Sequence, residues 1–436
     1  MDWREKYASK LVSMDEAVRK IKSGDTLAAG IATGVPYKLL DALADYSLGH
    51  LEDVEFYYGA GFKPYKMGMP PFNGHLNVKS FFFGPIERAF VAHGSHFPYQ
   101  PIHLSQTTRD RCRTHHGNVL LMAGTEPDEN GLISLGPSPM GGDMLDYYDT
   151  VIVQVNRKMP YVHGQGAVIP AERVTWLVEA EEDLPILPSA EPSEAEVKIA
   201  GHIVERVPDG ATIQLGIGGV ASAIGGFLKE KRDLGIHTEM FVNALVDLLK
   251  CGAANNSKKT LLPGKTVLGF SLGSQEMYDF MDHNPDIEAR PFEFVNDPRV
   301  IAQNDNMISI NGAMQVDLMG QVCAESIGPR QFSGTGGQAD FVRGANWSRG
   351  GMSFLALPST LTTKSGEVKS KISAVLPLGS VVTTPRADVQ YIVTEYGVAD
   401  LRNEPLDVRA KRLIAIAHPD FRDKLTYEAK QAGMLI

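Results

Sequence analysis

The sequence of 436 residues contains only three cysteines, Cys112, Cys251 and Cys323. Cysteines spaced this widely build neither a disulfide framework nor a CxxC metal site, so a reducing compartment is expected. No apolar run reaches the roughly 18 residues that a membrane span needs, and the charged residues 1–6 are not followed by the apolar segment of a secretory signal. We therefore expect a cytoplasmic protein with no membrane partner.

Positive charge is also scarce. The chain has 42 Lys and Arg against 52 Asp and Glu, a formal net charge of -10, which argues against nucleic acid as a partner. Its 12 histidines show no HExxH or other metal-ligand spacing, and no GxSxG nucleophile elbow occurs, so neither a metal site nor a serine nucleophile is predicted. Hydrophobic residues make up 43% and charged residues 22%, which is typical of a globular protein.

The sequence contains an internal repeat. Residues 23–36 and 208–220 are similar, and in both copies a helical segment is followed by a short apolar strand, a glycine-rich turn and a second helix. A weaker match relates residues 149–156 to residues 388–395, which both have the pattern of buried strands. The repeat predicts two similar α/β domains with mostly parallel sheets.

A proline-rich acidic segment separates the two halves. Residues 181–194 contain three prolines and suit an extended connection, so we place the boundary near Pro188 and predict domains at 1–188 and 189–436. Ligands of parallel sheets bind beyond the carboxyl ends of the strands. Two such domains leave a cleft between them.

The glycine-rich turn at residues 216–219 lies between a predicted strand and a predicted helix. Its backbone N–H groups could face an anion or an oxyanion at the start of that helix. The motif resembles the dinucleotide fingerprint GxGxxG only in part, because no acidic residue follows at the expected distance of about 20 residues. A tight turn that needs small residues explains the same pattern equally well.

A second glycine-rich segment spans residues 333–341. Three glycines with a Ser, a Thr and a Gln would let the backbone approach a ligand closely while offering side-chain hydrogen bonds, and Arg343 follows. An ordinary surface loop is the alternative interpretation.

One carboxylate stands in a weakly polar stretch. Glu239 lies in the predicted strand at residues 234–241, flanked by apolar residues that indicate partial burial. A partly buried carboxylate is either paired or functional, whereas a solvated surface charge is the common case for a lone glutamate. His237, two residues earlier, is interpreted as a structural neighbour.

Several segments together resemble the class I coenzyme A transferases. The similarity is to the acetyl-CoA hydrolase/transferase group, which contains butyryl-CoA:acetate and 4-hydroxybutyrate CoA-transferases, and it covers nearly the whole chain. The segments that carry it are residues 234–240, 296–306, 320–326, 334–341 and 391–397.

The resemblance implies two similar α/β domains with the active site in the cleft between them, and it assigns Glu239 as the catalytic nucleophile. It also implies a coenzyme A (CoA) site formed by the glycine turn, the glycine-rich loop and a basic residue, for which we choose Lys371. The implied CoA-binding residues are Gly216, Ile217, Gly218, Gly219, Val220, Gly334, Gly336, Gly337, Gln338 and Lys371. Residues 156–168 keep the Asn and Met-Pro of the family but differ after them, which leaves the acyl group open.

The implied reaction moves CoA from a short-chain acyl-CoA to a carboxylic acid such as acetate, butyrate or 4-hydroxybutyrate, as in short-chain fatty acid metabolism. A glutamyl-CoA thioester would form on Glu239, with ping-pong kinetics. This chemistry requires no metal and no prosthetic group, because the CoA thioester is itself the substrate. An acyl-CoA hydrolase and a transferase for a small dicarboxylate, such as succinate or itaconate, are the alternatives. A homo-oligomer is expected.

Overall fold

The computed structural model describes residues 2–114 and 116–436. The α-helices, numbered in chain order, are α1 (Trp3–Lys6), α2 (Met14–Val18), α3 (Tyr37–Ser47), α4 (Pro85–Ala92), α5 (Thr107–Thr114), α6 (Glu194–Val204), α7 (Gly219–Leu228), α8 (Asn243–Lys250), α9 (Gln275–Met281), α10 (Phe292–Val295), α11 (Pro298–Ile301), α12 (Gln338–Trp347), α13 (Leu406–Ala415) and α14 (Pro419–Gln431). Short 3-10 helices cover Ala32–Gly34, Pro70–Phe72, Leu104–Gln106, Leu145–Tyr147 and Ala171–Arg173.

The strands are numbered in the same way. They are β1 (Thr26–Ala29), β2 (Val54–Tyr58), β3 (Leu76–Ser80), β4 (Gly117–Gly124), β5 (Leu132–Ser134), β6 (Tyr148–Val155), β7 (Val168–Pro170), β8 (Trp176–Glu179), β9 (Thr212–Leu215), β10 (Gly235–Phe241), β11 (Thr266–Ser271), β12 (Ile287–Ala289), β13 (Met307–Gly312), β14 (Gln315–Asp317), β15 (Val322–Cys323), β16 (Ser326–Ile327), β17 (Arg330–Gln331), β18 (Met352–Ala356), β19 (Thr360–Thr362), β20 (Val368–Ser370), β21 (Ile372–Ser373), β22 (Tyr391–Thr394) and β23 (Gly397–Asp400).

The chain forms two compact units. The first contains Met1–Pro188 and Val267–Val295, and the second contains Ser189–Thr266 and Asn296–Ile436. The first unit therefore includes a segment that follows the proline-rich connection by some 80 residues.

The first unit is built on a parallel sheet with the strand order β3-β2-β1-β4-β6-β8. Its central strand β4 is almost entirely buried, as the apolar run at residues 119–123 requires in a sheet covered on both faces. Helix α3 packs Leu39, Leu40 and Leu43 into the core, because these positions recur with the helical period on one face.

The second unit repeats this arrangement. Strands β10-β9-β13-β18-β22 are parallel neighbours in that order, and β23 adds an antiparallel edge to β22. Its first helix, α6, begins with a capping box in which Ser193 and Glu196 bond to each other's backbone N–H. The hydrophobic core of this unit includes Val342 from α12, Leu355 from β18 and Ile392 from β22.

The two sheets confirm the predicted pair of α/β domains with mostly parallel strands. The strand order places β1 of the first unit in the position of β9 in the second, as the repeat at residues 23–36 and 208–220 predicts. The weaker match, between residues 149–156 and 388–395, is wrong. Residues 149–155 lie in β6, whose counterpart in the second sheet is β18. Residues 391–394 form β22, whose counterpart in the first sheet is β8. Buried parallel strands share an apolar pattern, so that pattern does not distinguish neighbouring strands.

Within the described part of the chain, no helix combines the length and the apolar character that crossing a membrane would demand.

Candidate active site

Glu239 lies near the end of β10, where it is the residue of that strand with partial exposure. Its neighbours His237 and Thr238 are fully buried. The carboxylate is oriented by Asn296, whose Nδ2 donates a hydrogen bond to Oε2 of Glu239 over 2.7 Å. The backbone N–H of Gly337 also donates to this carboxylate.

Burial raises the pKa of the Glu239 carboxyl to about 7. The negative charge of Asp340 acts in the same direction, whereas the hydrogen bonds from Asn296 and Gly337 lower the pKa. Both of these donors are neutral amides, so they orient the carboxylate without neutralising its charge. A carboxylate in this setting is a better base and nucleophile than a solvated one, because water does not stabilise its charge.

Asn296 was not predicted as a site residue. It is fully buried and directly precedes Asp297, whose side chain caps helix α11 by accepting a hydrogen bond from the N–H of Arg299. Pro298 at the first helical position fixes the chain at this point. Asn296 does begin one of the segments that carry the family resemblance, and that was the available signal.

Gly337 lies at the start of helix α12 and is buried. A Cβ at this position would overlap both Oε2 of Glu239 and Nδ2 of Asn296, so the contact requires a glycine. Gly336 has a φ of 56°, in the region that favours glycine, and Gly334 is also buried. The glycine-rich loop is therefore a buried segment next to Glu239, and its interpretation as an ordinary surface loop is wrong.

The next residue, Gln338, connects this loop to the glycine turn. Its Nε2 donates to the carbonyl oxygen of Gly312 over 2.7 Å, and its Oε1 accepts from Oγ1 of Thr384 over 3.0 Å. Gly312 lines the pocket that adjoins the glycine turn. Gln338 is thus a structural link, and its amide is already engaged by the protein.

The glycine turn lines a pocket of about 170 Å³. It follows β9, and Gly218 has a φ of 102° where the chain turns into helix α7. Ile217 is 58% exposed although it is apolar, which suits a residue that awaits a ligand. The pocket is lined by Glu196, Gly216, Ile217, Gly218, Gly219, Val220, Ala221, Ile310, Asn311, Gly312, Ala313, Ala356 and Pro358.

Lys371 is half-buried close to this pocket. Burial lowers the pKa of its ammonium group, and the carboxylates of Glu395 and Glu196 oppose that effect. Glu395 is fixed by Ser359, whose N–H and Oγ–H both donate to it, at 2.8 and 2.6 Å. The backbone N–H of Lys371 donates to the carbonyl oxygen of Ser359 over 2.8 Å, and Pro358, the preceding residue, lines the pocket.

The corresponding turn of the first unit is closed. Thr33 is buried and its Oγ1 donates to Oγ of Ser138 over 2.7 Å, while a Cβ at Gly34 would overlap the carbonyl oxygen of Ser138. The N–H of Ala32 donates to the carbonyl of Ala60, so this turn uses its donors within the unit. The repeat is therefore preserved in backbone, whereas the surroundings of the two turns differ.

Among the residues that the structure describes, no three His, Cys, Asp or Glu side chains converge as metal ligands would.

Comparison with known proteins places these features in a family. The model of the acetyl-CoA hydrolase/transferase N-terminal domain matches residues 1–188, and that of the C-terminal domain matches residues 273–429. The chain is 40% identical to the 4-hydroxybutyrate coenzyme A transferase of Clostridium kluyveri, covering 99% of this chain and 100% of the relative. It is 38% identical to the probable butyrate:acetyl-CoA coenzyme A-transferase of Syntrophomonas wolfei, over 99% and 97%.

Solved structures give the same result. RipA from Yersinia pestis is 37% identical and superposes with a TM-score of 0.93 over 100% of both chains. The 4-hydroxybutyrate CoA-transferase from Porphyromonas gingivalis is 33% identical with a TM-score of 0.80, over 99% of this chain and 100% of that one.

Proposed function

The chain belongs to the acetyl-CoA hydrolase/transferase family and is an enzyme that transfers CoA; from this premise we propose that Glu239 is its nucleophile. The proposed reaction moves CoA from a short-chain acyl-CoA to a small carboxylic acid such as acetate, butyrate or 4-hydroxybutyrate. The observation that carries the assignment is the position of Glu239: a partly exposed carboxylate on a buried strand, held by two neutral donors, with its pKa raised to about 7.

The reaction begins with attack of a Glu239 carboxylate oxygen on the thioester carbon of the acyl-CoA. The carbon–sulfur bond breaks, and the products are a mixed anhydride on Glu239 and the CoA thiolate. The thiolate then attacks the glutamyl carbonyl carbon of the anhydride, which releases the first carboxylate and leaves a glutamyl-CoA thioester. The acceptor carboxylate reverses these steps, so every bond broken is replaced by another of the same kind, and no oxidant or reductant is consumed.

Asn296 and Gly337 orient the nucleophile in this scheme. The Nδ2–H of Asn296 holds Oε2 of Glu239 and the N–H of Gly337 donates to the same carboxylate, and as neutral donors they allow it to keep its charge until it attacks. Pre-orientation of this kind lowers the entropy cost of the first step. The thioester carries the reactive group itself, so the scheme uses no prosthetic group.

We propose that CoA binds at the glycine turn and the glycine-rich loop, with its anionic groups near Lys371. Three observations support this: the pocket beside Gly216–Val220, the link from Gln338 to the wall of that pocket, and the half-buried ammonium group of Lys371. Binding energy from the remote parts of CoA can then be used to position the thioester.

A panel of acyl-CoA donors against carboxylate acceptors tests the function, with the products identified by mass spectrometry. We expect a new acyl-CoA to form only when an acceptor acid is present, and Glu239→Gln to abolish its formation. The control Glu230→Gln, at an exposed glutamate after α7, should behave as wild type.

Two results would redirect the proposal. Release of free CoA at an undiminished rate without an acceptor would identify a hydrolase, and a preference for succinate or itaconate would identify a dicarboxylate transferase. Normal exchange by Glu239→Gln would remove Glu239 as the nucleophile.

We also propose a homo-oligomeric, cytoplasmic enzyme. The loop after β21 leaves apolar side chains in solvent: Leu378 is 97% exposed, Val375 57% and Val381 40%. A cluster of this kind is typical of an interface, and a second copy of the chain is the partner we propose for it. Light scattering should give a multiple of 47.5 kDa, whereas a monomer mass at every concentration would reject the oligomer.

A further inference from the structure

Glu196 is a charged side chain in the wall of the pocket beside the glycine turn. It belongs to the first turn of helix α6, where its evident task is the capping box with Ser193. That box accounts for only one of its two oxygens. Oε2 accepts from the N–H of Ser193 over 2.8 Å and from Oγ of Ser193 over 2.8 Å, whereas Oε1 has no protein partner among the described residues.

The carboxylate of Glu196 also lies over the start of helix α7. A Cβ on Gly219 would overlap Oε1 and Oε2 of Glu196, and Gly219 has no positive φ that would otherwise demand a glycine. The first N–H groups of α7 give this end of the helix a partial positive charge, which stabilises a nearby carboxylate. A phosphate group is therefore not expected at this helix start, because Glu196 already supplies a negative charge there.

Hydrogen-bond donors lie in the same pocket. Ile217 and Gly218 line it, and the described residues offer neither backbone N–H a hydrogen-bond partner. Glu196, Ile217 and Gly218 thus bring an acceptor oxygen and backbone donors to one pocket. This combination matches a ligand group that carries an N–H donor beside an acceptor atom.

CoA contains such groups in two places. The pantetheine arm carries amide N–H donors and oxygen acceptors along its length, and the edge of adenine that bears the amino group and N7 places an N–H donor directly next to an acceptor. Resting on the proposed function, we propose that Glu196 is a specificity residue for CoA: Oε1 accepts a hydrogen bond from one of these N–H groups while the glycine turn donates to the neighbouring acceptor.

The surrounding charges agree with this division of the ligand. Glu196 would repel the phosphates of CoA, and Lys371, which it influences, would attract them. In this proposal the neutral donor edge of CoA lies beside Glu196, and the phosphates lie away from its carboxylate.

Glu196→Gln is the diagnostic substitution. Gln also forms capping boxes, so its amide oxygen can take over the bonds from Ser193, and an NH2 donor then replaces the free acceptor. The matched control is Ser193→Ala, which weakens the cap but keeps the carboxylate and the backbone N–H that holds it. Dissociation constants are measured by calorimetry for CoA, for a CoA analogue with hypoxanthine in place of adenine, and for pantetheine. Circular dichroism verifies folding.

We expect Glu196→Gln to weaken CoA binding by roughly ten- to a hundred-fold, because an N–H donor of the ligand then faces the NH2 donor of the glutamine. Ser193→Ala should lower the melting temperature and leave CoA binding near that of wild type. If adenine supplies the N–H beside its N7, the Gln variant should bind the hypoxanthine analogue at least as well as CoA, since hypoxanthine has an acceptor oxygen in place of the amino group and keeps the N7 acceptor. If pantetheine supplies it, the variant should bind pantetheine more weakly than wild type does.

Unchanged CoA binding by a folded Glu196→Gln protein would overturn the proposal. Equal weakening for CoA and its hypoxanthine analogue, with pantetheine unaffected, would also overturn it, because the loss would then come from a part of CoA that contains neither of the proposed N–H groups. In both cases wild type still binds CoA, so the proposed function stands. Failure of wild type to bind CoA would reject both.

Discussion

The raised pKa of Glu239 makes the stability of the folded protein depend on pH. Its pKa lies at about 7 in the folded chain against an ordinary value of 4.5, and the first cause is burial. Between these two values the unfolded chain loses the proton while the folded chain keeps it, so folding becomes less favourable as the pH rises. The loss of folding free energy caused by the buried Glu239 carboxylate is complete above pH 7 and absent below pH 4.5.

Glu239→Gln should therefore stabilise the protein in a pH-dependent way. The gain in the free energy of unfolding should be larger at pH 8 than at pH 5 by roughly 2.5 kcal/mol, because a glutamine has no proton to lose. Urea unfolding of both proteins at the two pH values measures it. A gain that is the same at both pH values would show that the pKa of Glu239 is ordinary.

Lys371 and Lys369 provide a matched pair of lysines. Lys371 is half-buried near the pocket, whereas Lys369 is exposed and pairs with Glu367 over 3.1 Å. Lys371→Met should weaken CoA binding by about ten-fold or more at low salt and by less at high salt, as the loss of a charge contact predicts. Lys369→Met should have little effect. Equal effects of the two variants, measured by calorimetry, would move the anion site away from Lys371.

At this scale the sequence identified some site residues and not others. Glu239 could be singled out as a partly buried carboxylate because its neighbours in the strand are apolar, and the family resemblance implied its role as nucleophile. Asn296 could not, because its importance comes from a hydrogen bond to a residue 57 positions away, which leaves no local pattern. Glu196 was missed because its capping role with Ser193 already explains its position in the sequence.

Among the elements, helix α12 is placed by the glycine that precedes it. A Cβ at Gly337 would overlap Glu239 and Asn296, so Gly337→Ala should move one of them and lower kcat by roughly a hundred-fold, the loss typical of a misplaced catalytic group. Gly226→Ala in α7 is the control, because a Cβ there meets no atom within 4 Å and alanine favours a helix. Steady-state kinetics with the best substrate pair measures both. Wild-type kcat in Gly337→Ala would show that the contact has no role in catalysis.

The glycine-rich elements show where sequence patterns are informative. The strand–turn–helix unit could be predicted in both halves of the sequence, because its turn residues and its apolar periodicity are local properties. The sequence does not predict whether each turn is open to a ligand. Ser138 closes the turn of the first unit, and it lies about 100 residues from Thr33 in the sequence. Local patterns predict the turn, and long-range packing decides whether a ligand can reach it.

On the scale of the whole molecule, the duplication produces two sheets with the same strand order. Of the two glycine turns that the structure describes, only the one in the second unit borders an open pocket. The second unit alone holds Glu239, Asn296, the pocket and Lys371. The repeat did not predict which unit holds these residues. The two copies, residues 23–36 and 208–220, are similar in sequence, and they differ in the residues that pack around them.

The central claim is that CoA becomes covalently attached to Glu239 before the acceptor acid reacts. The most direct measurement is to incubate the protein with acyl-CoA alone, treat it with borohydride, and sequence the peptides by mass spectrometry. We predict reduction of the Glu239 thioester to an alcohol with loss of activity, no such change with CoA or the free acid alone, and parallel double-reciprocal plots for the two substrates. An unmodified Glu239 peptide together with intersecting plots would contradict this account and indicate direct transfer in a ternary complex.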